Sequence, residues 1–403
     1  MNVGFYHDNI GTKHAGGISV YARKLALELS AAHDVYVYTQ DGDVVSELAE
    51  SDVHVVETPS FDPPALDGRF SSKLASLLPV GPQDLSKLAM ISWSVRNDVL
   101  EHIETHVDVL VTFQFPDDLL LSNLVDVPTV YGYLSDGSMG TGAAIRERYT
   151  QTDAHFAISP YLADRVADAF GHTVDEIVLP GLEVDRFHPD VEPAFASEEP
   201  TVLFVGRVVE SKGVFDLLEA VGSLEDDVHL RIVGTGHAEA AVRQRSRALG
   251  IADDVTLEGE VPHHELPGYY AGADVFCLPT HVDSFAMVNL EAMGCGTPVL
   301  TTDLEGIKTY LVPEENGVVV PPGEPDALAR ALEDLLSDPD RRRVLGSRAR
   351  RRACEFSWRQ QAGRLERLCA DVLGAELEID PSEAGDRRDE RSDRRQAPIQ
   401  ELD

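Results

Sequence analysis

Four charged side chains in the second half of the chain have the types and spacing to handle a phosphate-bearing ligand: Arg207, Lys212, Asp283 and Glu291. Arg207 and Lys212 lie in Gly206-Arg207-Val208-Val209-Glu210-Ser211-Lys212-Gly213, between the apolar run Thr201-Val202-Leu203-Phe204-Val205 and a helix expected from Val214. Fixed cations on a loop feeding a helix N-terminus can neutralise a diphosphate leaving group without a metal ion. The alternative is a pair of solvated surface charges. Asp283 and Glu291 belong to residues 278–300, which read as strand, loop, helix, turn, strand. Asp274 to Leu278 is a short apolar run of buried-strand type, stopped by Pro279. Ser284 can cap a helix over Phe285 to Met293, ended by Gly294 and Gly296. The free N–H groups of Phe285, Ala286, Met287 and Val288 would then face the crevice outside the strand ends, where anionic or hydroxyl-rich ligands bind. Two carboxylates bracketing that helix start suit a ligand with a phosphate in the middle and hydroxyls at both ends.

These residues sit in a longer pattern. Pro279-Thr280, Asp283, Phe285-Ala286, Glu291-Ala292, Gly296 and Pro298-Val299 resemble the signature of the family-4 glycosyltransferases, Pro-Ser-x-x-Glu-x-Phe-Gly-x-x-x-x-Glu-Ala-x-x-x-Gly-x-Pro-Val. The Arg207/Lys212 loop matches that family's Gly-Arg-x-x-x-x-Lys-Gly. The resemblance implies an α/β chain of GT-B fold, with two Rossmann-like domains facing a central crevice. It implies a retaining enzyme that moves a hexose-type sugar from a UDP- or GDP-linked donor to a glycan or lipid-linked acceptor, with no cofactor and no metal. Arg207 and Lys212 would meet the diphosphate, Asp283 the sugar hydroxyls, Glu291 the ribose, and the backbone of residues 285–288 the sugar and phosphate. Gly234 and Gly236 match a Gly-x-Gly turn beside the nucleotide, and Val261 ends the strand that meets the base. Gly16-Gly17, after the first strand, matches a pair near the donor phosphates, although a plain flexible turn reads equally from those residues alone.

The sequence departs from that pattern in places. Asp283 stands for a Glu, shortening the reach by about 1.5 Å, and Ala286 stands for a Gly, adding a methyl where backbone approaches ligand. Many relatives carry a His after the strand corresponding to Thr129–Tyr133, where this chain has Leu134-Ser135-Asp136. Asp136 is a candidate acceptor-side group, with a turn role as its alternative; His14 is another, as is His7. Three functional classes stay open: a glycosyltransferase, another GT-B enzyme such as an epimerase or phosphorylase, and a nucleotide-sugar-binding protein without catalysis.

The elements that must position these residues alternate in βα order. Strand-type runs at Val3–Tyr6, Val35–Tyr38, Val53–Val56, Val109–Val111, Thr129–Tyr131, Phe156–Ile158 and Ile177–Leu179 imply a parallel sheet covered on both faces. No Gly-x-Gly-x-x-Gly follows the first strand, which argues against a dinucleotide cofactor there. The expected organisation is an acceptor-binding domain over residues 1–188, a Pro/Glu/Ala-rich linker over 189–200 and a donor-binding domain over 201–355. A helix over 356–373 returns to the first domain, as the resemblance implies, and a charged tail over 374–403 is expected to be disordered. His263-His264-Glu265 reads as a solvated helix start, since adjacent side chains in a loop rarely converge on one metal ion.

The 403 residues carry 34 basic against 70 acidic side chains, a net charge of −36. That balance fits a protein solvated at high salt, of haloarchaeal type, with an ordinary acidic enzyme as the alternative. It argues against a nucleic-acid partner, because no basic stripe would neutralise phosphates. Cys277, Cys295, Cys354 and Cys369 form no Cys-x-x-Cys pair and read as reduced, mostly buried thiols of a cytoplasmic protein. No apolar run approaches about 18 residues, so membrane contact would be peripheral, at the inner face. The candidate is residues 69–96, where Arg69, Lys73, Lys87 and Arg96 face only Asp84 among Leu, Met, Ile and Trp93. An amphipathic helical pair packed on the first domain is the other reading of that segment.

Overall fold

The computed structural model describes residues 1–7, 9–11, 17–40, 42, 44–58, 99–113, 121–134 and 152–375. His14, Gly16, Asp136, the segment 69–96 and nearly all of the charged tail lie outside these residues.

Short β-branched and aromatic runs build two separate sheets. The first contains β1 (Asn2–Tyr6), β2 (Asp34–Gln40), β3 (His54–Thr58), β4 (Val109–Phe113), β5 (Thr129–Tyr133), β6 (Ala154–Ala157) and β7 (Glu176–Ile177). Their spatial order is β3-β2-β1-β4-β5-β6-β7. The second holds β8 (Thr201–Val205), β9 (His229–Val233), β10 (Val255–Gly259), β11 (Val275–Leu278), β12 (Val299–Thr302) and β13 (Val318–Val320). Its order is β10-β9-β8-β11-β12-β13. Every pairing in both sheets is parallel. Parallel strands need both faces covered, and the central strands β4, β5, β8 and β11 are buried at every residue. Each sheet therefore has its own core, one around Val3, Phe5, Leu25 and Phe113 and one around Phe204, Leu230, Phe276 and Leu300.

Strand order reverses between β1 and β4 in the first sheet and between β8 and β11 in the second. Ligands of open α/β sheets bind outside the carboxyl ends of the strands at such reversals. The loop after β8 carries Arg207 and Lys212, and the loop after β11 carries Asp283, so both flank one reversal.

The chain returns to the first domain at its end. Ser357 caps helix Trp358–Leu373, accepting from the Gln360 N–H at 3.3 Å, and Gly374 ends it in the left-handed region. Trp358, Leu365 and Cys369 of this helix belong to the first domain's core, and Trp358 meets the Tyr21 ring edge-on at 5.7 Å. The Leu179 N–H donates to Gln361 Oε1 at 3.0 Å, and His33 pairs with Glu366 at 2.7 Å. Segment 189–200 contains no helix or strand, yet it is fastened to the second domain. The Ala194 N–H donates to the Gly268 carbonyl at 2.9 Å, and the Arg231 guanidinium lies 4.1 Å from the Phe195 ring centre. Of the cysteines, Cys277, Cys295 and Cys369 are buried, while Cys354 is exposed. Among the described residues, no helix is long and apolar enough to cross a membrane.

Candidate active site

The second sheet brings one sequence-predicted cation and one carboxylate, Lys212 and Asp283, together. Lys212 lies on a 3₁₀ turn, Glu210–Lys212, and its Nζ donates to Asp283 Oδ2 at 2.5 Å. Two further bonds hold the loops in register: the His281 N–H donates to the Ser211 carbonyl at 2.8 Å, and Thr280 Oγ1 donates to the same oxygen at 3.1 Å. Arg207, five residues before Lys212, is exposed and has no ion-pair partner among the described residues. Its loop is propped from behind by Gly234-Thr235-Gly236. The Val208 N–H donates to the Thr235 carbonyl at 2.9 Å, and a Cβ on Gly236 would come within 2.1 Å of the Val208 carbonyl oxygen. Here those glycines let one turn press on another; they position Arg207. Val261 is half-buried against the second core, two residues beyond β10.

The helix start differs from the expectation in two ways. The helix spans Met287–Gly294, two residues later at its beginning than the sequence pattern gave, because Ala286 adopts a left-handed conformation at φ 54°. Ser284 is not the cap. Ala286 stands at the cap position with no side-chain cap bond, and Asp283 ties the turn ahead of it, with Oδ1 accepting from the Phe285 N–H at 3.0 Å and the Ala286 N–H at 2.7 Å. Two of the four N–H groups expected to face a ligand are thus satisfied internally, which leaves those of Met287 and Val288 in the first turn. Tyr310 fixes the carbonyl side of the same loop, donating to the Phe285 oxygen at 2.6 Å while accepting from Asn289 Nδ2 at 3.0 Å.

Glu291 is 6% exposed, and both of its oxygens are engaged. Tyr270 OH donates to Oε2 at 2.8 Å, and His263 Nε2 lies 2.8 Å from Oε1. His263, His264 and Glu265 form an exposed 3₁₀ start to the helix that follows, as their pattern suggested, with His264 3.7 Å from Glu265; what the pattern did not show is the hold of His263 on Glu291. Burial would lower the His263 pKa. The hydrogen bond to Glu291 and the charges of Glu291 and Glu183 outweigh that, against opposition from Arg186, so the pKa is raised. Burial, then Glu291 beside it, pushes the Cys295 thiol up to about 12, so that thiol stays protonated.

A small cleft lies between the domains, lined by Lys24, Glu183, His263, Met287, Glu291 and Trp358 among others. Met287 packs against both cores. Lys24, from helix Gly17–Leu29, pairs with Glu183 at 3.1 Å and also with Glu47, and Arg186 holds Glu183 at 2.8 Å. Gly17 opens that helix at the edge of the first reversal, and His7, which follows β1, is buried. Lys24, Tyr270 and His263 were not legible as site residues; their partners are between 21 and 159 positions away, so no local spacing marks them.

Residues 188–352, which contain all four charged groups, match the family described as glycosyl transferases group 1. The chain is a glycosyltransferase. Its similarity extends over nearly the whole length of a D-inositol 3-phosphate glycosyltransferase of Xylanimonas cellulosilytica, 29% identical over 88% of this chain and 91% of that one. A GDP-mannose-dependent alpha-(1-6)-phosphatidylinositol monomannoside mannosyltransferase of Mycolicibacterium smegmatis is 32% identical over 56% of this chain and 64% of the relative. Among solved structures, sucrose-phosphate synthase from Thermosynechococcus elongatus superposes with a TM-score of 0.76, at 22% identity over 93% of this chain and all of the other. Anabaena HepE in complex with UDP and glucose gives 0.73 at 17% identity, over 92% of this chain and 100% of the other. The chain shares the GT-B fold of these solved structures, with its two parallel sheets and returning helix.

Proposed function

We propose that the protein is a retaining, metal-independent glycosyltransferase that transfers a hexose-type sugar from a nucleotide diphosphate to a glycan or lipid-linked acceptor. The observation that carries this reading is the meeting of Lys212 and Asp283 at 2.5 Å across the strand-order reversal, with Glu291 on the helix behind. In the reaction the bond from the sugar C1 to the diphosphate oxygen breaks, and a bond from C1 to the acceptor oxygen forms on the same face. Arg207, Lys212 and the N–H groups of Met287 and Val288 stabilise the departing diphosphate. The leaving phosphate takes the acceptor proton, so no second catalytic carboxylate is needed. Asp283 contacts the sugar and Glu291 the ribose. The names of the two sequence relatives carry an inositol-bearing acceptor, and one carries GDP-mannose, which makes GDP-mannose with inositol phosphates and their lipids the first substrates to assay. The net charge of −36 supports assaying at molar salt.

Arg207→Ala and Lys212→Ala test the reading. Each should lower turnover by roughly a hundredfold, equivalent to about 3 kcal/mol of lost transition-state stabilisation, with the fold retained. Near wild-type rates in both variants would refute it.

A further inference from the structure

Both oxygens of Glu291 are bonded within the protein, and the two partners are unlike each other. Tyr270 is fully buried, packed edge-on against Phe276 at 5.5 Å, so its bond to Oε2 is part of the core. His263 sits on the 3₁₀ turn His263–Glu265 at the cleft wall, its side chain 45% exposed, and holds Oε1. Ribose hydroxyls need an acceptor. Within this carboxylate only Oε1 can be freed without opening the core.

We propose that His263 is the group a donor nucleotide displaces from Glu291, so that donor binding and protonation of His263 oppose each other. This rests on the reading of Glu291 as the ribose carboxylate. An imidazolium holds a carboxylate by a charge-assisted hydrogen bond, whereas a neutral imidazole holds it weakly. The groups facing His263 are Glu291 and Tyr270 from the second domain, Glu183 and Arg186 from the junction, and Lys24 from the first domain beyond Glu183. Lys24 at 3.1 Å and Arg186 at 2.8 Å neutralise Glu183. Glu291, which bonds His263 directly, gives the larger support to its proton and Glu183 adds to it, so a nucleotide that takes over Oε1 removes the larger part. A proton is released on binding. Because the His263 pKa is raised in the free protein, affinity is full above that pKa and falls as pH drops through it.

The test is calorimetric titration of UDP and of GDP into the full chain from pH 6 to 9, in buffers of different ionisation enthalpy at one KCl concentration. The proteins are wild type, His263→Asn, His263→Gln, Glu291→Gln and Glu291→Asp, each checked for fold by circular dichroism. The nucleotide's own terminal phosphate titrates in this range, and the His263 variants retain that contribution. Wild-type affinity should weaken toward low pH more steeply than in the His263 variants, by up to about tenfold per pH unit below the His263 pKa. At pH 6 the His263 variants should bind more tightly than wild type and release fewer protons. Identical pH profiles and proton release in wild type and both His263 variants would overturn the proposal, as would weaker binding by both variants at every pH. If the folded Glu291 variants bind UDP and GDP as tightly as wild type at pH 9, the ribose assignment itself fails. If they lose binding while the His263 variants match wild type, only the displacement fails.

Discussion

Gly213→Ala should be costly in both stability and nucleotide binding, for reasons that can be separated. Gly213 lies at φ +71° between Lys212 and helix Val214–Gly222, and a Cβ there would sit 1.9 Å from the Pro279 carbonyl oxygen. Two terms add. Holding alanine in the left-handed region costs about 1–2 kcal/mol. Relieving the overlap requires the Pro279 carbonyl to retreat by about 1 Å, which pulls the loop after β11 off the loop after β8. The His281 N–H and Thr280 hydroxyl bonds to Ser211 are the first to go, at about 1 kcal/mol each. The total is about 3–4 kcal/mol. Gly250 is the control: its φ is +81°, but nothing lies within 4 Å of a Cβ built there. Gly250→Ala should cost only the conformational term, about 1 kcal/mol. Urea unfolding of the two variants at one salt concentration measures the difference, expected near 2 kcal/mol. Titration with UDP and GDP provides the second readout. Gly213→Ala should bind more weakly, because Lys212 and Asp283 move apart, while Gly250→Ala should bind like wild type. Equal destabilisation by the two substitutions, or unchanged affinity in Gly213→Ala, would refute the coupling of the two loops.

Turnover should survive excess EDTA, since Arg207, Lys212 and a helix start already oppose the diphosphate charge; a reversible requirement for Mn²⁺ or Mg²⁺ would contradict that. Asp283→Glu moves the carboxylate outward by one methylene, so it cannot keep the Phe285 and Ala286 N–H bonds together with Lys212. About 1 kcal/mol of stability should be lost on chemical unfolding, and preference among donor sugars should change more than affinity for the free nucleotide. If residues 69–96 form the membrane-facing segment, wild type should co-sediment with anionic liposomes at molar KCl. The variant Lys73→Glu/Lys87→Glu/Trp93→Ser should then stay in the supernatant, and equal pelleting of the two would exclude that role.

The fold was legible because it rests on local pattern. Runs such as Val202–Val205 and Val109–Val111 are short, apolar at successive positions and rich in β-branched residues, the pattern of a strand covered on both faces, and helical stretches between them lead to a parallel order. The meeting of Lys212 with Asp283 has a related origin: each lies a few positions beyond a strand end, so chain order delivers both to the same strand-order reversal. What those side chains do in the absence of ligand was not legible. Ser284 is an acceptable cap by its residue type, yet the left-handed turn at Ala286 delays the helix to Met287 and leaves Asp283 to bond the two N–H groups ahead of it. The hold of His263 on Glu291 depends on how a 3₁₀ turn approaches a helix 28 residues away, and that of Lys24 on Glu183 depends on one domain packing against the other. The outcome has a common logic at both carboxylates. Asp283 is held by Lys212 and two N–H groups, and Glu291 by His263 and Tyr270, so neither is an empty acceptor awaiting hydroxyls. Such partners keep half-buried charges from being left bare before substrate arrives. They also set which oxygen a sugar can reach: at Glu291 the partner at the cleft wall can yield, while the partner in the core cannot.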